Sequence, residues 1–227
     1  MAQINRKDKE AVRQENIEQT VSRTEQFYNA HKNLIWGIVI AVLAIGLGVL
    51  AYGKYVYQPA CAEAMEKAFP AELNFQKGEY DLALNGDGNV LGFAEIINTY
   101  GTKAGKAVYL YAGICQLQLG NFTEAISYLD KYAGKDPILA ARAESCKGDA
   151  YVGLEDYASA VKCFMSAAKK NGENILAGTY LQKAGLAYEK MGDKAAALSC
   201  YKEIRDRYPQ SVESYDIDKY IQRATAE

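Results

Sequence analysis

Three segments of the chain repeat one another at a set of fixed registers. YLYAGICQLQLGNFTEAISYLDKYAGKDP from Tyr109, ESCKGDAYVGLEDYASAVKCFMSAAKKNG from Glu144 and LQKAGLAYEKMGDKAAALSCYKEIRDRYP from Leu181 align so that Gly113, Gly148 and Gly185 coincide, at spacings of 35 and 37. Ala125, Ala160 and Ala197 coincide as well, and so do Leu129, Phe164 and Tyr201. Self-similarity at this period constrains the fold more than any other feature, because a unit this small cannot bury its apolar face alone and must stack on its neighbours. Each segment reads as helix, tight turn, helix. The glycines let paired helices approach closely, and the alanines fit where the second helix crosses the first. Asn121, Asp156 and Asp193 recur at one register, where their side chains are expected to cap the free N–H groups of each second helix. Pro137 and Pro209 are read as closing the first and third units, since proline cannot continue a helix. The expected class is all-α.

The pattern resembles the tetratricopeptide repeat, with its period of about 34 and its G…Y…G…Y…A…F…A…P signature. The second unit matches best, through Gly148, Tyr151, Tyr157, Ala160, Phe164 and Ala167; the first departs at Gln116 and the third at Lys194. The resemblance implies a superhelix of repeats at 106–140, 141–177 and 178–211. Residues 60–104 read as a degenerate opening unit. There Ala62 to Lys77 is a first helix, Gly78, Tyr80 and Ala83 start a second, NGDGN (Asn85 to Asn89) interrupts it, and Phe93 to Tyr100 resumes. Residues 212–227 read as a capping helix whose apolar face is Ile217, Tyr220, Ile221 and Ala224.

Ahead of the repeats, LIWGIVIAVLAIGLGVLAY runs from Leu34 to Tyr52 with no charged side chain between Asn33 and Gly53. About 20 helical residues span the roughly 30 Å hydrocarbon core of a bilayer, and Trp36 at one end with Tyr52, Tyr55 and Tyr57 at the other match the headgroup layers. We read 34–53 as one uncleaved transmembrane helix; the run is too long, and too far from Met1, for a signal peptide. The 1–33 tail carries six basic and five acidic residues, and its few apolar positions (Ile17, Val21, Phe27, Tyr28) suit either a short interfacial helix or a frayed end. The near flanks tie, Arg23 and Lys32 against Lys54 and Lys67, but the basic content of the short tail favours an N-terminus in the cytoplasm and a C-terminal domain outside. Gly37, Ala41, Ala44 and Gly48 fall on one face of the span, where small residues would let another helix dock.

Several function classes are disfavoured. The formal net charge is −2, from 26 Lys and Arg against 28 Asp and Glu, and no basic stripe marks a nucleic-acid partner. The single histidine, His31, lies outside the repeats, so no Ser-His-Asp or Cys-His pair can be built there, and no Walker-type phosphate loop exists. NGDGN places Asn85, Asp87 and Asn89 at alternate positions, but an EF-hand needs Gly at position six and Glu at twelve, where this chain has Val90 and Ile96. A turn-rich loop is the better reading. Cys61, Cys115, Cys146, Cys163 and Cys200 show no metal-like spacing and read as small hydrophobes, with pairing left open if the domain is exported. We expect no enzyme, cofactor, metal or small-molecule substrate.

A binding surface remains. In this repeat class the first helix of each pair lines the concave face, which nominates Leu110, Ile114 and Leu117, then Arg142, Ser145, Asp149 and Val152, then Thr179, Gln182, Leu186 and Glu189. Leu110 and Ile114 stand where carboxylate-clamp domains need Lys and Asn, so that partner class is disfavoured. A groove that starts apolar and turns polar suits an extended or helical polypeptide segment.

Together the tail, anchor and repeats resemble the ancillary SecYEG translocon subunit family (YfgM-like) of bacterial inner membranes. The Thr24 to Asn33 lead-in TEQFYNAHKN, the Leu82 to Phe93 segment LALNGDGNVLGF and the Asp216 to Ala224 helix DIDKYIQRA look like the version found in the Bacteroidetes. The resemblance implies a non-catalytic role, with the span beside the Sec channel subunits and a periplasmic domain linking exported polypeptides to periplasmic chaperones. Two other readings stay open. One is an envelope-assembly or cell-division scaffold; the other is a receptor whose repeats face the cytoplasm.

Overall fold

The two sets of recurring residues meet. In the computed structural model, which describes residues 2–170 and 174–226 with side chains from Glu25 onward, a Cβ at Gly113 would stand 2.6 Å from Leu129 Cγ. Cβ atoms at Gly148 and Gly185 would overlap the rings of Phe164 and Tyr201. Each glycine is therefore a socket on the first helix for the large side chain on the second. Ala125, Ala160 and Ala197 are fully buried beside these sockets. Burial of rings the size of Phe164 and Tyr201 contributes about 2–3 kcal/mol each.

The helices that carry these residues are α5 (Lys106–Gln118), α6 (Phe122–Asp130), α7 (Pro137–Gly153), α8 (Tyr157–Lys170), α9 (Ala177–Lys190) and α10 (Lys194–Arg207). Each packs on the next, and α10 packs on a terminal helix, α11 (Ile217–Thr225), which buries Ile217 and Ala224 as expected of a cap. No strand occurs among the described residues.

One turn design serves all three repeats. The Gly120, Glu155 and Gly192 residues have φ of 79°, 60° and 81°, and the following amide donates back to a carbonyl five residues earlier: Asn121 to Gln116, Asp156 to Tyr151, Asp193 to Tyr188. This left-handed geometry closes a helix by satisfying its last carbonyls. The opening unit uses it too, with Gly78 at φ 80° and Glu79 N–H bonded to Asn74 O.

That opening unit consists of α2 (Gln58–Gln76), α3 (Tyr80–Asn85) and α4 (Phe93–Tyr100). Its second helix is broken as the sequence suggests, because Gly86 turns at φ +74° and Gly92 lies against the backbone of Leu84 and Asn85, where no Cβ fits. Asp87 in the loop accepts the N–H groups of Asn89 at 2.9 Å and Val90 at 2.8 Å, which hold its carboxyl below the usual carboxylate range. Phe93 then fills the slot against Phe75 and Tyr111.

Two expectations are corrected. Asp156 and Asp193 do cap α8 and α10, accepting from Ser159 and Ala196 at 3.0 Å. Asn121 does not cap α6: its side-chain amide donates to Gln116 Oε1 at 2.8 Å instead. Pro137 does not close the first unit. The α6 helix ends at Asp130, and Pro137 opens α7, with Asp136 accepting from Leu139 N–H at 2.8 Å. A missing N–H costs nothing in a first turn.

Residues 1–58 form a separate compact unit from 59–227. Helix α1 runs from Ala2 to Tyr52, so the tail is neither frayed nor a separate short helix, and a π-helical turn, Gly53–Tyr57, follows. The helical stretch from Glu25 to Gln76 is long and apolar enough to cross a membrane. Within the chain the span is exposed almost all round, and a Cβ at Gly37 or Gly48 would meet nothing within 4 Å.

Candidate functional site

Nine of the eleven nominated groove residues line two clefts in the repeats. The larger, about 670 Å³, lies among α7, α8, α9 and α11, with Val152, Leu186 and Glu189 on its wall. The smaller, about 370 Å³, lies among α5, α7 and α9 and takes Ile114, Leu117, Arg142, Ser145 and Thr179. Asp149 borders both. The two exceptions are Leu110, which is 2% exposed in a core with Leu129 and Ala143, and Gln182, which borders neither cleft.

Between the clefts stands a side chain that the sequence reading passed over. Lys183 Nζ donates to both carboxylate oxygens of Asp149, at 2.7 and 3.0 Å, and to Ser145 Oγ at 3.3 Å. It also sits 5.7 Å above the Phe164 ring, a cation–π distance. Lys183 and Asp149 are each about a third exposed, at 35% and 34%. At that exposure the ion pair is partly screened by solvent.

The remaining polar groups are partly committed. Thr179 Oγ1 donates to Glu213 at 2.7 Å. Glu189 takes a two-point grip from Arg223 of α11, at 2.6 and 3.2 Å, and accepts from the Tyr201 hydroxyl at 3.2 Å. Burial, reinforced by Glu189, pushes the Tyr201 hydroxyl well above its usual range. Burial likewise pushes the thiol of Cys146, on the wall of the smaller cleft, up to about 11. That thiol is an inert apolar surface at neutral pH.

Around these groups the clefts are apolar. Ile138, Leu139 and Leu176 on the smaller one are each 40–43% exposed, and Leu186 on the larger is 38% exposed. No three His, Cys, Asp or Glu side chains among the described residues converge as a metal site. The geometry offers shape, apolar area and fixed charges. Those are the means of binding a polypeptide.

On the span, Gly37, Ala41, Ala44 and Gly48 are exposed. The five cysteines are unpaired; Cys115 and Cys200 are buried, and the other three are half-buried. Cys163 and Cys200, at one register of successive second helices, differ in depth: Cys200 touches Met165, while Cys163 is partly exposed.

Comparison with known proteins follows the same lines. One tetratricopeptide repeat model matches residues 107–137 and 180–211, and a second matches 147–172. Among solved structures, the crystal structure of MamA protein superposes with a TM-score of 0.52 at 19% identity, covering 73% of this chain and 90% of its own. A further crystal structure of MamA gives 0.51 at 20% identity, covering 68% and 91%. At that identity the likeness establishes the fold alone. No curated protein matches the chain. Residues 107–137, 147–172 and 180–211 are thus tetratricopeptide repeats, a module built for protein–protein interaction.

Proposed function

We propose that this chain is a non-catalytic, membrane-anchored adaptor of the bacterial SecYEG translocon. In this reading the span lies beside the channel subunits with the N-terminus in the cytoplasm, and the repeats, in the periplasm, pass exported polypeptides to periplasmic chaperones. The observation that carries it is the groove, whose two clefts are walled by half-exposed leucine, isoleucine and valine with Lys183–Asp149 between them. Such a surface fits a polypeptide segment better than a small polar substrate. The apolar helix supports the membrane placement. Tethering would keep the local concentration of groove high near a membrane partner.

The test is affinity purification of the tagged full-length protein from membranes in mild detergent, followed by mass spectrometry. A parallel sample carries leucine at Gly37, Ala41, Ala44 and Gly48. Sec channel subunits that co-purify with the parent and are lost from the leucine variant are the expected result. Outer-membrane assembly or division proteins without the channel would overturn the translocon reading.

A further inference from the structure

The groove has a charge opposite to that of the chain. Its two clefts are bordered by Arg142, Lys183, Lys190 and Arg223 against only Asp149 and Glu189, a net of two positive charges on a chain whose formal charge is −2. Pairing sharpens the imbalance. Both carboxylates are taken, Asp149 by Lys183 and Glu189 by Arg223. Among the described residues no ion pair or hydrogen bond engages Arg142 or the Lys190 ammonium. Both side chains are exposed, one on each cleft, so the free positive charge of the groove lies on either side of the Lys183–Asp149 bridge. Beside each lies apolar surface: Ile138 and Leu139 flank Arg142 on α7, and Leu186 precedes Lys190 by one turn on α9.

We infer that the groove selects apolar polypeptide segments that carry acidic side chains, with Arg142 and Lys190 as the two charge-reading residues. This rests on the reading that the groove holds polypeptide at all. A basic segment would meet two unpaired cations and find no unpaired carboxylate, so it is repelled rather than merely unrewarded. A segment without charge would gain the apolar contacts but leave both cations unanswered. The bridge between the clefts keeps Asp149 from quenching the selectivity, because Lys183 has already neutralised it.

The experiment uses the full-length protein in mild detergent. Fluorescence anisotropy compares a labelled peptide of about twelve residues, made of Leu, Phe, Ala and Glu, with the same peptide bearing Lys in place of Glu. Two wet ion pairs exchanged for two repulsions favour the acidic peptide by about tenfold at low salt, and the preference shrinks as salt screens it. The charge-reversed variant Arg142→Glu with Lys190→Glu inverts the preference. Both positions are exposed, so its circular dichroism melt serves as the folding control. Equal affinity for the two peptides, a preference for the basic one, binding of neither, or a preference that survives the reversal would each overturn the inference. Its fate is separable from that of the translocon reading. Channel subunits that co-purify beside a charge-blind groove refute only the inference, and an acid-selective groove without channel subunits refutes only the translocon assignment.

Discussion

At Gly148 one added methyl group would collide with a buried ring. Its missing Cβ leaves the space that the Phe164 ring occupies; an added Cβ would stand 2.7 Å from Cδ1 and nearer still to Cε1. The ring is 1% exposed with Ala160 and Ala184 packed in the same cluster, so its retreat is resisted. Overpacking of this kind costs about 1–3 kcal/mol. Alanine returns about 1 kcal/mol through its better helix propensity. Gly148→Ala should therefore destabilise by up to about 2 kcal/mol, a fall in melting temperature of up to roughly 8 °C for a domain of this size. Thermal melts by circular dichroism, on the full-length protein in mild detergent, would measure it. In a Phe164→Leu background the same substitution should cost at least about 1 kcal/mol less, because the smaller side chain vacates the socket. Gly113→Ala should cost less than Gly148→Ala, since its neighbour Leu129 is an aliphatic side chain with more rotamers to retreat into than a ring. A Gly148→Ala protein that melts above the parent, or an equal penalty in both backgrounds, refutes the socket argument.

Three further expectations follow from the turns, the caps and the buried thiols. Glu155 holds φ at 60° in the turn where Gly120 and Gly192 stand in the neighbouring units, so Glu155→Gly should stabilise by about 1 kcal/mol; an unchanged or lower melting temperature would count against left-handed strain there. Removing the caps with Asp156→Ala or Asp193→Ala should cost about 1 kcal/mol each, whereas Asn121→Ala should cost less than about 0.5 kcal/mol because its amide bonds Gln116 rather than a free helix N–H. Equal urea midpoints for the three variants would contradict that division. Burial pushes Cys115 from the ordinary 9.0 up to about 12, and Cys146 and Cys200 up to about 11. The folded state therefore holds these protons more tightly than the unfolded chain. The resulting stability is fully present below about pH 9 and is lost as pH rises toward 11–12. Urea midpoints of the parent and a triple alanine variant should converge with rising pH over that window, and a constant difference between them would refute the assignment.

The repeat pattern carried the packing logic well, because Gly113, Gly148 and Gly185 and their partners Leu129, Phe164 and Tyr201 are one contact written three times. What it could not carry was the rotation of each first helix about its own axis. Stepping by three and four along α9 nominated Gln182, whereas the cleft wall is formed by the next residue, Lys183. Aligning the units exposes the signal that was available: Lys183 falls at the register of Cys146, which borders the same cleft. Arg223 was missed for a different reason, since only the apolar face of α11 was read and not the charges at its rim. Pro137 was misplaced because a proline that ends one helix and a proline that begins the next look alike until the length of α6 is known. Asn121 shared its register with two true caps, yet Gln116, an aromatic position in the repeat pattern, supplied a competing partner.

The grip of Arg223 on Glu189 has a consequence for exchange kinetics. Arg223 belongs to the terminal helix, which is further fastened by Lys194 Nζ donating to the Ala226 carbonyl at 2.7 Å. Because the same arginine borders the larger cleft, undocking α11 and losing that wall are one event. Amide protons of α11 then exchange at a rate set by this opening, and whatever binds the cleft in its closed form slows them by the same factor by which docked α11 tightens its binding. The end of the array thus keeps time for its groove.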